Sequence, residues 1–326
     1  MPATPGKPKV KSIVFAVQFE RFGPPDVLTF GPLPESHAGP AEIRVRVEAA
    51  GIAPVDLALR AGRSPSRDRI ALPHVPGVDA AGVIDEVGAD VTGFAVGDEV
   101  FGAVDVARLG GASAEFAVLR FWAAKPASMP WTQAGAAATS IETATRALDR
   151  LGVDAGSTLL IDGAAGGVGS TAVQLALARG AQVIGTASPH NQSFVAGLGA
   201  TAVTYGPHLA ERIRATGVER VERALDVAGA GSLPELIAIT GTPDAVLTLA
   251  DFTGPQHAVR LSVGELGGEP DGRHGLPLAA ALFEAGHFRV PVQHAFPMAE
   301  AAQAHAAAEH GPRQGKLVLT APVHVP

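Results

Sequence analysis

The chain has 326 residues, 47% hydrophobic and 17% charged, which suits a folded protein long enough for two domains and too apolar to remain disordered. A formal net charge of −7, with no cluster of Lys and Arg to offset it, argues against nucleic acid and anionic membrane as partners. The absence of cysteine excludes disulfides, four-cysteine zinc sites and thiol nucleophiles together.

Residues 1–11 carry Pro, Gly and Lys without a long apolar core, so neither a signal peptide nor a membrane span is expected there, and a cytoplasmic location is the simplest expectation. The pattern then becomes short and β-rich, with strands expected over 13–19, 42–49, 82–88 and 116–119 between Gly and Pro turns. From about residue 131 helix and strand alternate, with strands expected over 159–162, 182–186, 202–205, 222–227, 245–249 and 258–263. Six strands with intervening helices predict the α/β class, a doubly wound parallel sheet of Rossmann type. After Gly267-Gly268, helices near 276–284 and 298–309 and a last strand over 316–320 are expected to return to the first domain. The division is therefore a β-rich domain over 1–126, completed by 267–326, and a nucleotide-binding domain over 127–266.

The stretch from Asp162 to Gly169, Asp-Gly-Ala-Ala-Gly-Gly-Val-Gly, follows the strand-like Ser157-Thr158-Leu159-Leu160-Ile161 and opens a helical pattern. Read from Ala164 it is Ala-x-Gly-x-x-Gly, the dinucleotide fingerprint with its first glycine replaced by alanine. Small residues make the tight turn, and the positive end of the following helix favours a pyrophosphate. Val168, Ala172, Leu175 and Ala176 form that helix's apolar stripe, and Gly180 is placed to end it. Ala165, Gly166, Gly167 and Val168 are the expected phosphate contacts. An NAD site usually has Asp or Glu at the end of the second strand, where this chain has Thr186-Ala187-Ser188, and no acidic residue occurs between Gly163 and Ala210. Ser188, His190 and Asn191 can donate hydrogen bonds to a 2′-phosphate, which favours NADP(H). Ala250-Asp251-Phe252 follows the fifth strand at the ligand edge of the sheet, so Asp251 and Phe252 are expected near the nicotinamide, Phe252 being equally suited to interdomain core.

Other polar features read as structural. The eleven histidines show no sequence spacing of a metal site, and no metal is expected. Asp85-Glu86 and Asp98-Glu99, adjacent in strands, should point to opposite faces and be solvated. Ser170 is expected on the helix surface or against phosphate, since no nucleophile elbow surrounds it.

Several separated motifs, in order and spacing, resemble the zinc-independent quinone oxidoreductase branch of the medium-chain dehydrogenase/reductase superfamily. They are Ala53-Pro54-Val55-Asp56, Val75-Pro76-Gly77-Val78-Asp79-Ala80-Ala81-Gly82, Val96-Gly97-Asp98-Glu99-Val100-Phe101-Gly102, the glycine loop, and Gly315-Lys316-Leu317-Val318-Leu319. The resemblance implies a GroES-like catalytic domain beside the Rossmann domain. It implies hydride transfer from NADPH to a conjugated C=C or quinone, the substrate being a small-molecule conjugated acceptor, bulky or polycyclic rather than the usual small quinone. The similar zinc alcohol dehydrogenases place ligands where this chain has Ala53 and Val78-Asp79, so their metal is not expected. Similar reductases carry Asn at Ala53 and often an aromatic at Ala58, so the substrate pocket, with His74 nearest it, is expected to be wide and apolar. Thr143 matches a family Thr at the start of the helix entering the nucleotide domain, facing the nicotinamide or capping the helix. Tyr205 matches a Tyr used against the 2′-phosphate. The catalytic acid is not evident; Asp56, facing the cleft or a local turn, and Thr143 are weak candidates. The resemblance also implies a homodimer through the sheet edge over 245–263. A scaffold or cyclase that binds the coenzyme without net redox is the alternative.

Overall fold

The computed structural model describes residues 13–105, 108–311 and 314–321. The first half holds β1 (Ile13–Gln18), β2 (Thr29–Pro34), β3 (Ile43–Ile52), α1 (Pro54–Arg60), β4 (Asp79–Val87), β5 (Glu99–Ala103), β6 (Phe116–Leu119) and β7 (Phe121–Ala124). A short α2 (Trp131–Ala134) and the long α3 (Ala138–Leu151) lead into β8 (Thr158–Asp162), α4 (Gly167–Ala178), β9 (Gln182–Ala187), α5 (Gln192–Ala196) and β10 (Thr201–Thr204). Next come α6 (Leu209–Ala215), β11 (Arg223–Asp226), α7 (Leu233–Thr240), β12 (Val246–Thr248) and β13 (Arg260–Leu261). The chain closes with α8 (Gly275–Glu284), β14 (Val292–Pro297), α9 (Ala301–His310) and β15 (Lys316–Thr320).

Two sheets carry the architecture, apart from the β1–β2 hairpin. One has six parallel strands in the order β10-β9-β8-β11-β12-β13, reversing direction of progression at β8. In such a sheet, ligands lie outside the carboxyl ends of the strands at the reversal. The other runs β14-β15-β3-β4-β5-β7 with β6 also on β3, so strands from both ends of the chain share it. Its centre is β3, Ile-Arg-Val-Arg-Val-Glu-Ala-Ala-Gly-Ile, buried almost throughout because neighbours cover both its edges and faces. On the parallel sheet lies α4, packed beside β8, β9 and α3, with Ala172, Val173, Leu175 and Ala176 buried. A helix apolar on nearly every side needs such an enclosed position. Gly180 follows it at φ 83°, the left-handed geometry expected at its end.

The sixth parallel strand is shorter than the expected 258–263. Ala258 adopts φ 57° after a 3-10 turn over Gly254–His257, leaving two residues to pair. Strands β2, β5, β7 and β14 add to those read from the sequence. No helix among the described residues is long and apolar enough to cross a membrane.

Candidate functional site: an uncapped helix on an apolar cleft

The chain leaves β8 at Asp162 and turns through Gly163, at φ 92°, into the N-terminus of α4. Thr186 of β9 pins this turn: its Oγ accepts the Gly163 N–H at 3.0 Å and donates to Asp162, whose other oxygen accepts Ser232 Oγ at 2.6 Å. Gly169 must be glycine, since a Cβ there would stand 2.2 Å from the Gly163 carbonyl oxygen. At Gly166 a Cβ would meet only that oxygen, 3.7 Å away, because the position faces open space.

The two helix N-termini at this junction differ. α3 receives a carboxylate from another strand: Asp79 accepts Thr139 N at 2.7 Å and Thr139 Oγ1 at 2.6 Å. α4 has Gly166 as its N-cap and no side-chain cap, and helix geometry leaves the amides of Gly167, Val168 and Gly169 without intrahelical acceptors. Those amides at the positive end of α4 suit a pyrophosphate, so the loop fits a dinucleotide.

The loop opens on a cavity of about 480 Å³ between the sheets. One end is apolar, lined by Ile52, Ala53, Val55, Leu57, Val78 and Leu109. Its floor carries Lys316, only 7% exposed, with Nζ 3.2 Å from Asp79 Oδ2. The lysine stem crosses the loop so closely that a Cβ on Gly167 would stand 2.6 Å from Lys316 Cδ. Gly315 N donates to Ala165 O at 2.8 Å, so the last strand clasps the loop. Arg273, over the Phe121 ring at 4.9 Å, closes part of the wall.

Of the expected site residues, Ala53, Thr143, Gly166, Gly167 and Val168 line this cavity, and Ala165 bonds to Gly315 beside it. Ser188, His190 and Asn191 stand just past the carboxyl end of β9, and Tyr205, exposed, follows β10. His74 lies elsewhere: its Nε2 is 3.1 Å from Leu109 O and it packs on Phe19, and burial holds its imidazole below the ordinary range. Ala58 is likewise outside the lining; its carbonyl accepts Arg63 N at 2.9 Å and Ser64 N at 3.1 Å where the chain leaves α1. Phe252 is 61% exposed, and so not interdomain core, while Asp251 closes a turn onto Thr253; Leu249 and Ala250 line the cavity instead. Thr143 is not at a helix start but in the middle of α3, because the cap comes from Asp79. Asp56 serves a turn, accepting Ala53 N at 2.7 Å and Gly77 N at 3.0 Å, and burial pushes its carboxyl up to about 6. Ser170 is fully buried, its hydroxyl bonded to Gly167 O, rather than on a surface or open to phosphate.

The acidic pairs divide. Asp98 and Glu99 are exposed, as expected. Asp85 and Glu86 instead both hold Arg44, with Nη2 2.6 Å from Asp85 and 2.9 Å from Glu86. A bulge between Arg44 and Val45 lets adjacent residues reach one guanidinium. Glu35, His37 and Glu86 also come within 4.8 Å of one another, a grouping invisible in sequence spacing. Arg44 is bonded to Glu35 at 2.6 Å and lies 3.3 Å from His37 Nδ1, so a cation already occupies that acidic group. At the zinc-ligand positions of the superfamily, Ala53 and Val78 have no donor atom and Asp79 is taken by Lys316 and Thr139, so the donor set does not fit a catalytic zinc.

Residues 39–141 match the family model described as alcohol dehydrogenase GroES-like domain, and residues 198–319 that described as zinc-binding dehydrogenase. The chain is similar to 2-methylene-furan-3-one reductase of Solanum lycopersicum, 38% identical over 41% of this chain and 36% of the relative. It is also similar to quinone oxidoreductase of Rattus norvegicus, 35% identical over 54% of each. The chain spans about half, or less, of the length of these curated relatives. An alcohol dehydrogenase superfamily protein of Novosphingobium aromaticivorans superposes with a TM-score of 0.82 at 30% identity, covering 94% of this chain and 99% of that one. Fold and glycine loop define a two-domain dehydrogenase/reductase architecture. The chain belongs to the medium-chain dehydrogenase/reductase superfamily, among its quinone oxidoreductase-like members.

Proposed function

We propose that the chain is an NADPH-dependent, zinc-independent oxidoreductase that reduces a conjugated C=C or a quinone. The observation that carries this reading is the uncapped N-terminus of α4 opening on a cavity with an apolar end, beside metal-ligand positions where Ala53 and Val78 have no donor atom and Asp79 is engaged by Lys316 and Thr139. The coenzyme would supply the hydride. The amides of Gly167, Val168 and Gly169 would hold its pyrophosphate, with Ser188, His190, Asn191 and Tyr205 at the adenosine end, in a stretch from Gly163 to Ala210 that has no carboxylate to repel a 2′-phosphate. The apolar walls at Ile52, Ala53, Val78 and Leu109 exclude water and hold a flat acceptor, so its reacting carbon can approach within about 3–3.5 Å. Without a Lewis acid, an acceptor already electrophilic by conjugation is the chemistry these walls favour. Asp56, sealed under two amides, is positioned to brace α1 rather than to meet substrate, so water is assigned the final protonation. The shared sheet supports domain limits of 1–126 with 267–326 against 127–266, since β14 and β15 pair with β3. The same reading includes pairing of two copies through the β13 edge and a cytoplasmic location.

The test is loss of reduced-nicotinamide absorbance with a panel of quinones and enones, with and without a chelator. Oxidation of NADPH by at least one acceptor, faster than of NADH and insensitive to the chelator, is expected. NADPH binding with no oxidation by any acceptor would favour the scaffold reading, and stoichiometric zinc required for activity would overturn the metal argument.

A further inference from the structure

Leu109 is one of three non-glycine residues with positive φ among those described, at 56°, and of the three it alone lines the cavity. The other two, His208 and Ala258, are exposed, whereas Leu109 is 2% exposed and belongs to the apolar end. A bulky side chain disfavours the left-handed region by roughly tenfold, so its surroundings must hold it there. The chain just beyond is fixed by main chain alone: Ala112 N donates to Gly77 O and Ser113 N to Pro76 O, each at 3.0 Å. Leu109 itself is held by a side chain. His74 Nε2 lies 3.1 Å from the Leu109 carbonyl oxygen, which can only accept, so Nε2 carries the proton and donates it. His74 is fixed in turn, since its backbone exchanges two hydrogen bonds with Phe19 at 3.0 Å and its ring stands edge-on to the Phe19 ring at 5.4 Å. The imidazole packs so closely on the next turn that a Cβ at Gly110 would stand 2.6 Å from Nε2.

We propose that His74 is a positioning residue for acceptor specificity: its bond to the Leu109 carbonyl holds Leu109 left-handed and so fixes the direction from which the leucine side chain closes the apolar end of the cavity. The inference rests on the acceptor reading above. The direction of a Cα–Cβ bond follows the backbone, so relaxation of Leu109 into an ordinary region would move its side chain relative to Ala53 and Val78, which share that end. Ala53 offers a single methyl, which leaves the leucine more of the contact with any ring system broad enough to reach it. The residues of this end, Ile52, Ala53, Val55, Leu57, Val78 and Leu109, carry no charge, so the acceptor class selected is an uncharged fused-ring quinone or enone. A single-ring quinone needs Leu109 less. Once the His74 bond is lost the closed wall is populated roughly a tenth of the time, and an acceptor that needs it binds correspondingly more weakly.

The experiment is steady-state oxidation of NADPH with 9,10-phenanthrenequinone, a fused-ring acceptor, and with 1,4-benzoquinone, a single ring. His74→Leu should raise KM for phenanthrenequinone about tenfold with kcat changed less, and lower the ratio of kcat/KM for the fused over the single ring by at least about fivefold. His74→Gln, whose side-chain N–H2 can donate to the same carbonyl, should keep that ratio within about threefold of wild type. In a Leu109→Gly background, where left-handed backbone costs little and the side chain is gone, His74→Leu should shift the ratio no further. Thermal melts of each variant report its folding, and His74→Asn, polar but too short to span to the carbonyl, carries the same expectation if His74→Leu is unstable. A wild-type ratio in folded His74→Leu or His74→Asn, or the same shift with and without the leucine side chain, would overturn the proposal and leave the coenzyme and acceptor readings standing. A wild type that binds NADPH and passes hydride to neither quinone would overturn the acceptor reading and the proposal with it.

Discussion

Gly166→Ala separates the needs of the fold from those of a ligand at the same loop. The residue sits at φ −74° and ψ 175°, a geometry alanine adopts without strain, and its Cβ would have nothing nearer than Gly163 O at 3.7 Å. Replacing glycine there restricts the unfolded chain and should stabilise the fold by about 0.4–1 kcal/mol, raising Tm by roughly 1–3 °C. The added methyl, however, enters the space from which a pyrophosphate would reach the α4 amides. Losing one charge-assisted bond costs about 1.5–3 kcal/mol, so NADP+ affinity should fall about 10- to 150-fold. Gly169→Ala is the contrasting control: its Cβ would stand 2.2 Å from Gly163 O and 2.9 Å from Ala164 Cα, both backbone. That overpacking should destabilise by about 1–3 kcal/mol or more whether or not a ligand is present. Differential scanning calorimetry and isothermal titration measure the two effects. A Gly166→Ala variant that melts like wild type and binds NADP+ equally well would show that no phosphate lies against this turn.

Lys316→Met leaves Asp79, fully buried, with only Thr139 as donor, and should cost about 3 kcal/mol in denaturant melts; adding Asp79→Asn should recover much of the loss. Burial raises Asp56 from 3.8 to about 6, so its contribution to stability is full below pH 4 and is lost as pH rises through 6, about 3 kcal/mol by proton linkage. Asp56→Asn should therefore flatten the stability profile between pH 4 and 7. His305 has the opposite sign: burial, with Arg60 adding repulsion, lowers it to about 3, so stability is lost as pH falls below 6.5, and His305→Leu should blunt that acid limb. Ser188→Asp should weaken NADPH relative to NADH by at least about tenfold in competitive titration, since a carboxylate would face the 2′-phosphate; an unchanged ratio would contradict the assigned adenosine end.

The parallel sheet and its loop were legible because their signals are local: glycine spacing, a preceding apolar strand and a following apolar helix stand within one short stretch. The sheet centred on β3 was only partly legible, since its strands come from both ends of the chain and only folding brings β14 and β15 beside β3. Thr143 was misplaced for the same reason, because α3 begins at Ala138 behind the apolar N-cap Ala137 and takes its anion from Asp79. Lys316 was visible as part of a motif, but its partner is 237 residues distant, and only folding brings the two together. His74 was assigned to the pocket from its closeness in sequence to a cleft motif and Ala58 from the resemblance; neither lines the cavity, and His74 is held by Leu109 O and Phe19 instead.

The most direct measurement is calorimetric titration of the intact chain with NADP+, with NAD+ and with adenosine 2′,5′-bisphosphate, which lacks the pyrophosphate. The account predicts saturable binding of one NADP+ per chain, weaker binding of NAD+, and weaker binding again of the bisphosphate. Absence of heat with both dinucleotides, or equal affinity for the bisphosphate and NADP+, would contradict the assignment of the α4 amides to a pyrophosphate.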